Sequence, residues 1–370
     1  MTGSPTSSLG QRPTYLDWAA TAPLRAEAAA AMAEAAARLA EGSWANPSSQ
    51  HGPGRAARRA LEDARASIAA FLGVPADALV FTSGGTEALA LALGGDGLPR
   101  RAVLATEHAA VREAVPQAQV LPVDRDGRLI LEALEALPEG TLVAVQQANN
   151  ETGVIQDLGT VAGLVHARGG RLLADCVQSA GKLPLPAGAD YVAVSAHKLG
   201  GPPGIGALVV RCREGLRPLQ RGGGQEQGLR GGTENLVGIV GFAAAVAAFD
   251  RAFPTGARAL QARLEAGVCA AGGRILGERA PRLPTISCIH LPGVPAANQL
   301  MAMDLAGLAV SQGPACSSGT LRPSAVLAAM GEPEAARESL RVSIGWSTRA
   351  DDIDRFLAAW TALAARRRAA

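Results

Sequence analysis

Lys198 lies in a glycine- and proline-rich stretch of a chain whose positively charged residues are nearly all arginines. The stretch SAHKLGGPPGIG contains Lys198, and the only other lysine among the 35 lysine and arginine residues is Lys182. An amine forms and releases an imine under physiological conditions, whereas a guanidinium does not. We therefore predict that Lys198 is a reactive amine and that Lys182, in GKLPL, is a surface residue.

Polar side chains follow two neighbouring apolar runs of the sequence. The run RLLAD ends in Asp175, with Gln178 three residues later, and the run YVAVS ends in Ser195, followed by His197 and Lys198. Ligands of parallel α/β sheets bind beyond the carboxyl ends of the strands. A lysine and an acid at neighbouring strand ends match pyridoxal phosphate, which bonds to a lysine and pairs its pyridinium nitrogen with a carboxylate.

A glycine turn in FTSGGTEALALAL leads directly into a helical pattern. The backbone N–H groups at such a helix start can bind an anion such as a phosphate, and the hydroxyls of Ser83 and Thr86 would add contacts. Taken alone, the turn is typical of an ordinary helix cap. Beside Lys198 and Asp175 it predicts the phosphate site that this cofactor requires.

The fold class follows from short apolar runs that alternate with helical patterns such as residues 157–168. The runs occupy residues 78–82, 102–105, 142–146, 171–174, 191–194 and 206–211. Strands of this length separated by helices indicate an α/β protein with a largely parallel sheet covered on both faces. An alanine-rich stretch, 26–40, predicts an amphipathic helix.

The composition changes after residue 254. A helical pattern covers residues 257–270, short strands are expected near 285–290, and a closing helix is expected over 351–367. These elements predict a second, smaller α+β layer.

Charge and cysteine content exclude several classes of protein. The net charge of +2 is spread along the 370 residues, which argues against a nucleic-acid partner and against a polybasic membrane surface. The longest apolar stretch, 237–249, is too short to span a bilayer, and the polar residues 1–14 are expected to form a mobile tail rather than a signal peptide. The five cysteines form no C-x-x-C pair, so no metal site is predicted. We expect a soluble, cytoplasmic protein with reduced thiols.

The motifs taken together resemble the pyridoxal-phosphate-dependent cysteine desulfurases, a group of class V aminotransferase-like enzymes that supply sulfur for iron–sulfur clusters. The resemblance runs from Tyr15 to about Asp354 through YLDWAATAP, NPSSQHGPGRAAR, FTSGGTEALALAL, TEHAAV, NNETGVIQDL, ADCVQSAGKLPL, SAHKLGGPPGIG, GGGQEQGLRGGTEN and GPACSSG. It implies the fold type I architecture of pyridoxal-phosphate enzymes. The large domain, with a mainly parallel seven-stranded sheet flanked by helices, would comprise residues 22–252, and residues 1–21 and 253–370 would form the small α+β domain.

The resemblance also implies roles for the residues around the cofactor. Lys198 would bond to the cofactor and act as the base on the substrate Cα, while Asp175 would pair with the pyridinium nitrogen and Gln178 with the phenolic oxygen. His108, in TEHAAV, would stack on the ring and move protons. The phosphate would be held by four residues of the chain, namely Gly85, Thr86, Ser195 and His197.

Three further residues are implied at the substrate and at the neighbouring subunit. Asn150, which would also contact the cofactor, and Arg341 would hold the carboxylate of the L-cysteine substrate, since arginine binds a carboxylate in a bidentate pair. Thr233, in RGGTEN, would reach the phosphate of the neighbouring subunit, which implies a homodimer.

One cysteine differs from the others in its surroundings. Cys316 lies in SQGPACSSGTLRP, where almost no apolar residue could bury it, so we expect an accessible and reactive thiol. The resemblance is to the family members with a long cysteine loop, in which this residue is the nucleophile and the sulfur carrier. No bound metal is implied, apart from a transient contact between Cys316 and an iron–sulfur cluster. Arg322 replaces a commonly acidic residue nearby, and the acceptor protein that takes the sulfur is left open.

Other functions remain alternatives at this point. A class V aminotransferase or a selenocysteine lyase would keep Lys198, Asp175 and His108, although an aminotransferase has no use for the thiol of Cys316. A non-catalytic sulfur carrier or scaffold that retained the fold is a further alternative, against which the intact cofactor residues argue.

Overall fold

The computed structural model describes residues 14–313 and 322–369. The predicted amino-terminal tail, apart from residue 14, and Cys316 lie outside the described residues. No helix within those two ranges is long and apolar enough to cross a membrane.

The described part of the chain contains twelve strands. They are β1 Thr14–Tyr15, β2 Leu79–Thr82, β3 Arg100–Leu104, β4 Gln119–Leu121, β5 Thr141–Gln146, β6 Arg171–Asp175, β7 Tyr191–Ser195, β8 Gly206–Val210, β9 Arg274–Ile275, β10 Ile286–His290, β11 Leu308–Ala309 and β12 Ser339–Ser343.

Twelve α-helices lie in the same ranges. They are α1 Ala26–Ala40, α2 Gly52–Leu72, α3 Gly85–Gly95, α4 Ala109–Arg112, α5 Glu132–Glu135, α6 Leu158–His166, α7 Leu236–Ala247, α8 Phe253–Ala270, α9 Ala296–Leu305, α10 Ala325–Ala329, α11 Ala335–Glu338 and α12 Ala350–Ala369. Short 3-10 helices occupy Ala76–Ala78, Ala196–Lys198 and Gln225–Gly228.

A seven-stranded sheet in the order β2-β8-β7-β6-β5-β3-β4 forms the centre of the molecule. The neighbours from β4 to β7 pair in parallel, and β8 is antiparallel to both β7 and β2. This confirms the predicted mainly parallel sheet and all six predicted strands. β4 was not predicted, because its three residues, two of them exposed, form too short a pattern to stand out.

Alternating side chains of the parallel strands enter two different hydrophobic clusters. Along β5, Val143 and Val145 pack in a cluster that includes α2, α6 and α7, whereas Leu142 and Ala144 pack in a cluster that includes α3. Since successive side chains of a strand point to opposite faces, helices cover both faces of the sheet. That is why these strands are continuously apolar in sequence.

A second layer contains a three-stranded antiparallel sheet in the order β12-β10-β9. Its own core includes Phe356 and Trp360 of α12 and Leu264 of α8. Leu16, near the amino end, joins this core, and the adjacent β1 pairs in parallel with β11. The predicted small α+β layer is thus confirmed, while the domain bounds 22–252, 1–21 and 253–370 stay a prediction.

The helices end close to their predicted positions. α1 has the predicted bounds, α8 begins four residues before the predicted helix, and α12 covers the predicted closing helix. α2 shows local signals at both ends: the His51 side chain accepts the Gly54 N–H, and Gly73 closes the helix with a left-handed φ of 70°.

Candidate active site

The carboxyl ends of β6 and β7 bring the predicted cofactor residues together. Asp175 is the last residue of β6 and pairs in register with Ala193 of the neighbouring β7. β7 ends at Ser195, and the 3-10 helix Ala196–Lys198 follows directly. The lysine and the acid therefore share one edge of the sheet, as the sequence predicts.

Lys198 donates hydrogen bonds to two carbonyl oxygens of the amino-terminal segment. Its Nζ lies 2.5 Å from the Ala19 oxygen and 2.6 Å from the Ala20 oxygen. Burial, together with the nearby cations Arg341 and Lys182, lowers the pKa of the Lys198 amine to about 7. A large fraction of this amine is therefore neutral near pH 7, which is the form that attacks an aldehyde.

Asp175 is buried and lacks the partners that a buried carboxylate normally has. It accepts one hydrogen bond, from the Val177 N–H at 2.9 Å, within the described ranges. Burial raises the pKa of the Asp175 carboxyl to about 6, against the opposing effect of Lys198. A cationic N–H donor placed against it would keep the carboxylate ionised, which is what a pyridinium nitrogen supplies.

Gln178 has one side-chain atom satisfied and one not. Its Nε2 donates to the Ala19 oxygen at 2.8 Å, the same oxygen that Lys198 contacts. Its Oε1 is buried and has no hydrogen-bond partner among the described residues. An unsatisfied buried acceptor beside Lys198 is consistent with a donor supplied by a ligand.

The prediction for Lys182 is wrong. Its side chain is half-buried, and its Nζ donates to the Gln178 backbone oxygen at 2.8 Å. Burial lowers the pKa of this amine to about 8. The turn at Gly181, with φ of 73°, brings Lys182 back beneath Gln178, so both lysines of the chain lie at the site.

The amino end of α3 approaches the same edge of the sheet. Gly84, which has no side chain to cap the helix, precedes it, and α3 begins at Gly85. A Cβ atom at Gly85 would lie 2.6 Å from Cγ2 of Val177 and 3.7 Å from Cβ of Ser195. Glycine therefore lets the helix end, with its free N–H groups and those of Thr86, lie directly against β6 and β7.

The loop that carries Thr233 is tied to the same helix end. Arg230 Nε lies 2.9 Å from Oε1 of Glu87, in the first turn of α3, and the other Glu87 oxygen accepts the Ser83 N–H at 2.6 Å. Thr233 itself is exposed, three residues before α7. The structure thus gives Thr233 an accessible position but joins it to none of the other predicted site residues by a hydrogen bond within the described ranges.

Two histidines near Lys198 have lowered pKa values, which favours their neutral forms. Nδ1 of His108 accepts the Ala110 N–H at 3.1 Å at the start of α4, so a neutral ring carries its proton on Nε2. Burial and the cations Lys198 and Arg112 lower the pKa of His108. His197 contacts the Thr21 hydroxyl at 3.1 Å, and burial with the Lys198 charge lowers its pKa to about 4.

A buried polar network positions the loop that carries His108. Oε1 of Glu107 accepts the Gln146 N–H at 2.5 Å, and the Gln146 and Asn149 amides donate to the Thr106 oxygen at 2.8 and 3.1 Å. Gln146 pairs in register with Asp175, so the network adjoins the cofactor acid. Burial and the charge of Asp175 raise the pKa of Glu107 well above its usual range. The sequence analysis missed Glu107, whose only signal is its place beside His108.

Arg341 and Asn150 meet through the Asn150 main chain. Arg341, on β12, is 2% exposed, and its NH1 donates to the Asn150 oxygen at 3.1 Å and to the Gly313 oxygen at 3.4 Å. Its NH2 donates to Oδ1 of Asp17 at 2.7 Å, a partner that the sequence analysis also missed. Cys316 lies outside the described residues, three positions after Gly313.

The thiols and acids of the described ranges do not assemble a metal site. No group of three or more histidine, cysteine, aspartate or glutamate residues in that part of the chain could hold a metal ion. The cysteines described there, Cys176, Cys212, Cys269 and Cys288, are free, as expected.

Comparisons with known proteins agree with this geometry. The family model "Aminotransferase class-V" matches residues 14–356. A cysteine desulfurase of Cereibacter sphaeroides is 41% identical, over 93% of either chain, and an IscS-like cysteine desulfurase of Mycobacterium tuberculosis is 37% identical, over 96% of this chain and 97% of its own. The crystal structure of a NifS-like protein from Rickettsia africae superposes with a TM-score of 0.86 at 29% identity, covering 95% of this chain and 99% of that one.

The chain belongs to the class-V aminotransferase family and, within it, to the cysteine desulfurases. Enzymes of this family use pyridoxal phosphate, and the donor set fits that group: an amine with a lowered pKa, a buried acid with one partner, and an open helix end. Fold, enzyme class and cofactor thereby agree with the sequence analysis.

Proposed function

We propose that this protein is a pyridoxal-phosphate-dependent cysteine desulfurase that converts L-cysteine to L-alanine and leaves the sulfur on Cys316 as a persulfide. The observation that carries the proposal is the pair Lys198 and Asp175. A lysine amine with a pKa near 7 lies at the same sheet edge as a buried carboxylate that accepts a single hydrogen bond within the described ranges.

The cofactor would be held by residues from four parts of the chain. Lys198 would bond to its aldehyde, Asp175 would accept from its pyridinium N–H, and Gln178 would face its phenolic oxygen. The end of α3, with Ser195 and His197, would bind the phosphate, and a neutral His108 would lie against the ring. When bound, the cofactor withdraws electrons from the substrate Cα and so makes the Cα proton acidic.

Lys198 would transfer the Cα proton, and His108 would exchange protons with the substrate thiol or amine. An amine whose pKa is about 7 accepts a proton from Cα at neutral pH and returns it at the product stage. His108 carries a proton on Nε2 when neutral and can exchange it with the substrate thiol or amine. Asp175, paired with the pyridinium, keeps the positive charge of the ring in place.

Arg341, with Asn150 beside it, would hold the substrate carboxylate. Its guanidinium is buried and anchored by two main-chain oxygens, so its direction is fixed before substrate binds. Fixing the carboxylate on Arg341 would orient the Cα–H bond toward Lys198.

The sulfur transfer needs the thiolate of Cys316. The thiolate attacks the substrate sulfur, the Cβ–S bond breaks, and its electrons remain with the carbon fragment, which takes up protons to become alanine. The overall change is L-cysteine plus the Cys316 thiol giving L-alanine plus the Cys316 persulfide, so no external oxidant or reductant is required. This role rests on the sequence surroundings of Cys316 and on the family.

We further propose a homodimer, with Thr233 of each subunit at the phosphate of the other, and a protein acceptor for the persulfide sulfur. The exposure of Thr233 and the tie between its loop and α3 support this arrangement. A cytoplasmic location, expected from the reduced thiols, also remains a proposal.

The test compares two cysteine variants of the purified holoenzyme in the presence of a thiol reductant. C316A should lose sulfide release from L-cysteine while its visible absorbance still changes on cysteine binding, and C269S, at an exposed thiol, should match the unchanged enzyme. Full sulfide release by C316A would contradict the assignment of the carrier. Steady transamination by C316A would favour an aminotransferase instead.

A further inference from the structure

The guanidinium of Arg341 has one charged partner in the described structure. Its NH1 contacts two neutral carbonyl oxygens, and its NH2 forms a 2.7 Å salt bridge with Asp17, the only one recorded for it across residues 14–313 and 322–369. Its Nε is buried and without a hydrogen-bond partner in the same ranges. An arginine has five N–H donors, so this one has donor capacity left on the Nε edge.

The other acid near Arg341 is already engaged. Oε2 of Glu151 accepts from the Ser324 hydroxyl at 2.5 Å, and burial raises the pKa of the Glu151 carboxyl. Asp17, in contrast, retains a side chain that is 21% exposed. Asp17 is therefore the carboxylate that balances the buried charge of Arg341.

The Asp17 backbone is held firmly on both sides. The Leu16 N–H donates to the Ala309 oxygen at 2.8 Å, and the Ala19 N–H donates to Oγ of Ser343 at 2.9 Å. Between them, the Trp18 ring contacts the Trp346 ring edge-on, with centroids 4.5 Å apart. With the main chain held at both neighbouring positions, rotation of the Asp17 side chain separates the carboxylate from Arg341 without breaking these contacts.

Asp17 belongs to the same short segment whose main chain contacts Lys198. The Ala19 oxygen, two residues from Asp17, accepts from the Lys198 amine, so one short segment contacts both the cation and the amine that the substrate must use. The charge of Arg341 lowers the pKa of the Lys198 amine and the charge of Asp17 raises it, although burial has the largest effect, so both charged groups lie near that amine.

We propose that Asp17 is a stand-in for the substrate carboxylate on Arg341, and that an incoming amino acid must displace its side chain to bind. The inference rests on the proposed function, because it takes Arg341 as the residue that receives the substrate carboxylate. Asp17 is thus a specificity-determining residue. It weakens the binding of every carboxylate ligand while it keeps Arg341 oriented and neutralised between turnovers.

The proposal distinguishes ligands with a carboxylate from ligands without one. L-Alanine, the expected product, must displace Asp17, whereas L-alaninol has the same amine and methyl group but no carboxylate. Removal of the Asp17 charge should strengthen the binding of the first and leave the second unchanged.

The experiment measures binding of both ligands to the holoenzyme by calorimetry, for the unchanged chain and for D17N. Loss of the charge-assisted hydrogen bond between Asp17 and Arg341 should make L-alanine bind about ten-fold more tightly to D17N, equivalent to about 1.4 kcal/mol, while L-alaninol binds as before. D17S should change binding in the same direction if D17N folds poorly. D354N, which removes an exposed aspartate from a 2.7 Å pair with Arg263, should change neither affinity.

Weaker or unchanged L-alanine binding in D17N and D17S would overturn the stand-in role, because a purely structural Asp17 would help Arg341 bind and not compete with it. R341Q, which removes the cation, separates this failure from that of the proposed function. If R341Q removes the preference for L-alanine over L-alaninol, Arg341 is the carboxylate site whatever D17N does. If the preference survives in R341Q, the assignment of Arg341, and the inference with it, is wrong.

Discussion

The two ends of the strand pair β6 and β7 each hold a buried aspartate, and the two aspartates differ in how they are satisfied. At the amino end, Asp96 accepts hydrogen bonds from the Tyr191 hydroxyl at 2.8 Å, from Arg171 at 2.6 Å and from the Leu98 N–H at 2.8 Å. At the carboxyl end, Asp175 accepts one, from the Val177 N–H, within the described ranges.

The difference separates a structural acid from a functional one. Burial of a carboxylate has a large desolvation cost unless a positive charge and hydrogen bonds compensate it. Asp96 receives both from neighbouring residues of the protein. Asp175 lacks this compensation, and burial raises its pKa to about 6. An unsatisfied acid at the ligand end of a parallel sheet therefore marks the place where a ligand supplies the missing donor.

The largest expected effect is on turnover at the carboxyl end. D175N removes the charge that pairs with the pyridinium and should lower kcat by about 10³-fold, which corresponds to about 4 kcal/mol of transition-state stabilisation. The free energy of unfolding of the apoprotein should not fall, because an under-compensated buried charge is removed. Steady-state rates and urea unfolding measure the two quantities. A marked loss of stability without a loss of rate would show that Asp175 is a structural acid like Asp96.

The matching substitution at the amino end, D96N, should have the opposite effects: a loss of stability and an unchanged kcat. D96N removes the negative charge that pairs with Arg171 and places an amide NH2 against donors that now face a carboxylate oxygen, so it should lower the free energy of unfolding by about 3 kcal/mol. The fraction that folds should keep its kcat, since the site lies at the other end of both strands. Equal losses of kcat in D96N and D175N would remove the distinction between the two ends.

The substitution G85A tests whether close packing at the start of α3 is needed for cofactor binding. G85A places a Cβ 2.6 Å from Cγ2 of Val177, and such overpacking costs about 1 to 3 kcal/mol. It should also weaken cofactor binding, because the helix end must move away from β6 and β7. The double variant G85A/V177A removes the contacting methyl groups and should recover much of both losses, as measured by urea unfolding and by cofactor titration of the apoprotein. Failure of V177A to restore either quantity would point to another constraint at Gly85.

The smallest expected effect concerns a second acid near Asp175. Because the pKa of Glu107 in the folded protein is raised, the folded state binds more protons than the unfolded state at pH values above the ordinary pKa of a glutamate. This contribution to stability is fully present below that ordinary value and is lost as the pH rises toward the raised one.

E107Q should therefore reduce the fall in apoprotein stability as the pH rises above the ordinary pKa of a glutamate, measured by urea unfolding at each pH. E113Q, at an exposed acid next to α4, serves as the control and should leave the slope unchanged. A steeper fall in E107Q than in the unchanged chain would contradict a raised pKa at this position.

Much of the fold was predictable because its signals are local. The apolar runs of the parallel sheet and the alanine-rich α1 follow directly from pattern and composition, whereas the three-residue β4 carries no such pattern. Asp175 and Lys198 were predictable because Asp175 ends one apolar run and Lys198 lies three residues after the end of another, both on the ligand side of the sheet.

The residues that the sequence analysis missed or misplaced act through contacts between distant parts of the chain. Asp17 lies 324 positions from Arg341, and Glu107 lies 39 positions from Gln146. Lys182 was misplaced because its burial depends on how the turn at Gly181 packs against Phe71, Phe249 and Leu199, which directs the Lys182 amine to the Gln178 oxygen. Such pairings arise from tertiary packing, and no spacing within the sequence indicates them.

Borohydride reduction of the holoenzyme, followed by peptide mass spectrometry, shows whether the Lys198 amine carries the cofactor. The chain has two lysines, both at the site, so the assay distinguishes two side chains. A pyridoxyl group is expected on the peptide with Lys198 and none on the peptide with Lys182. A pyridoxyl group on Lys182, or on neither lysine of a reduced and fully loaded enzyme, would contradict it.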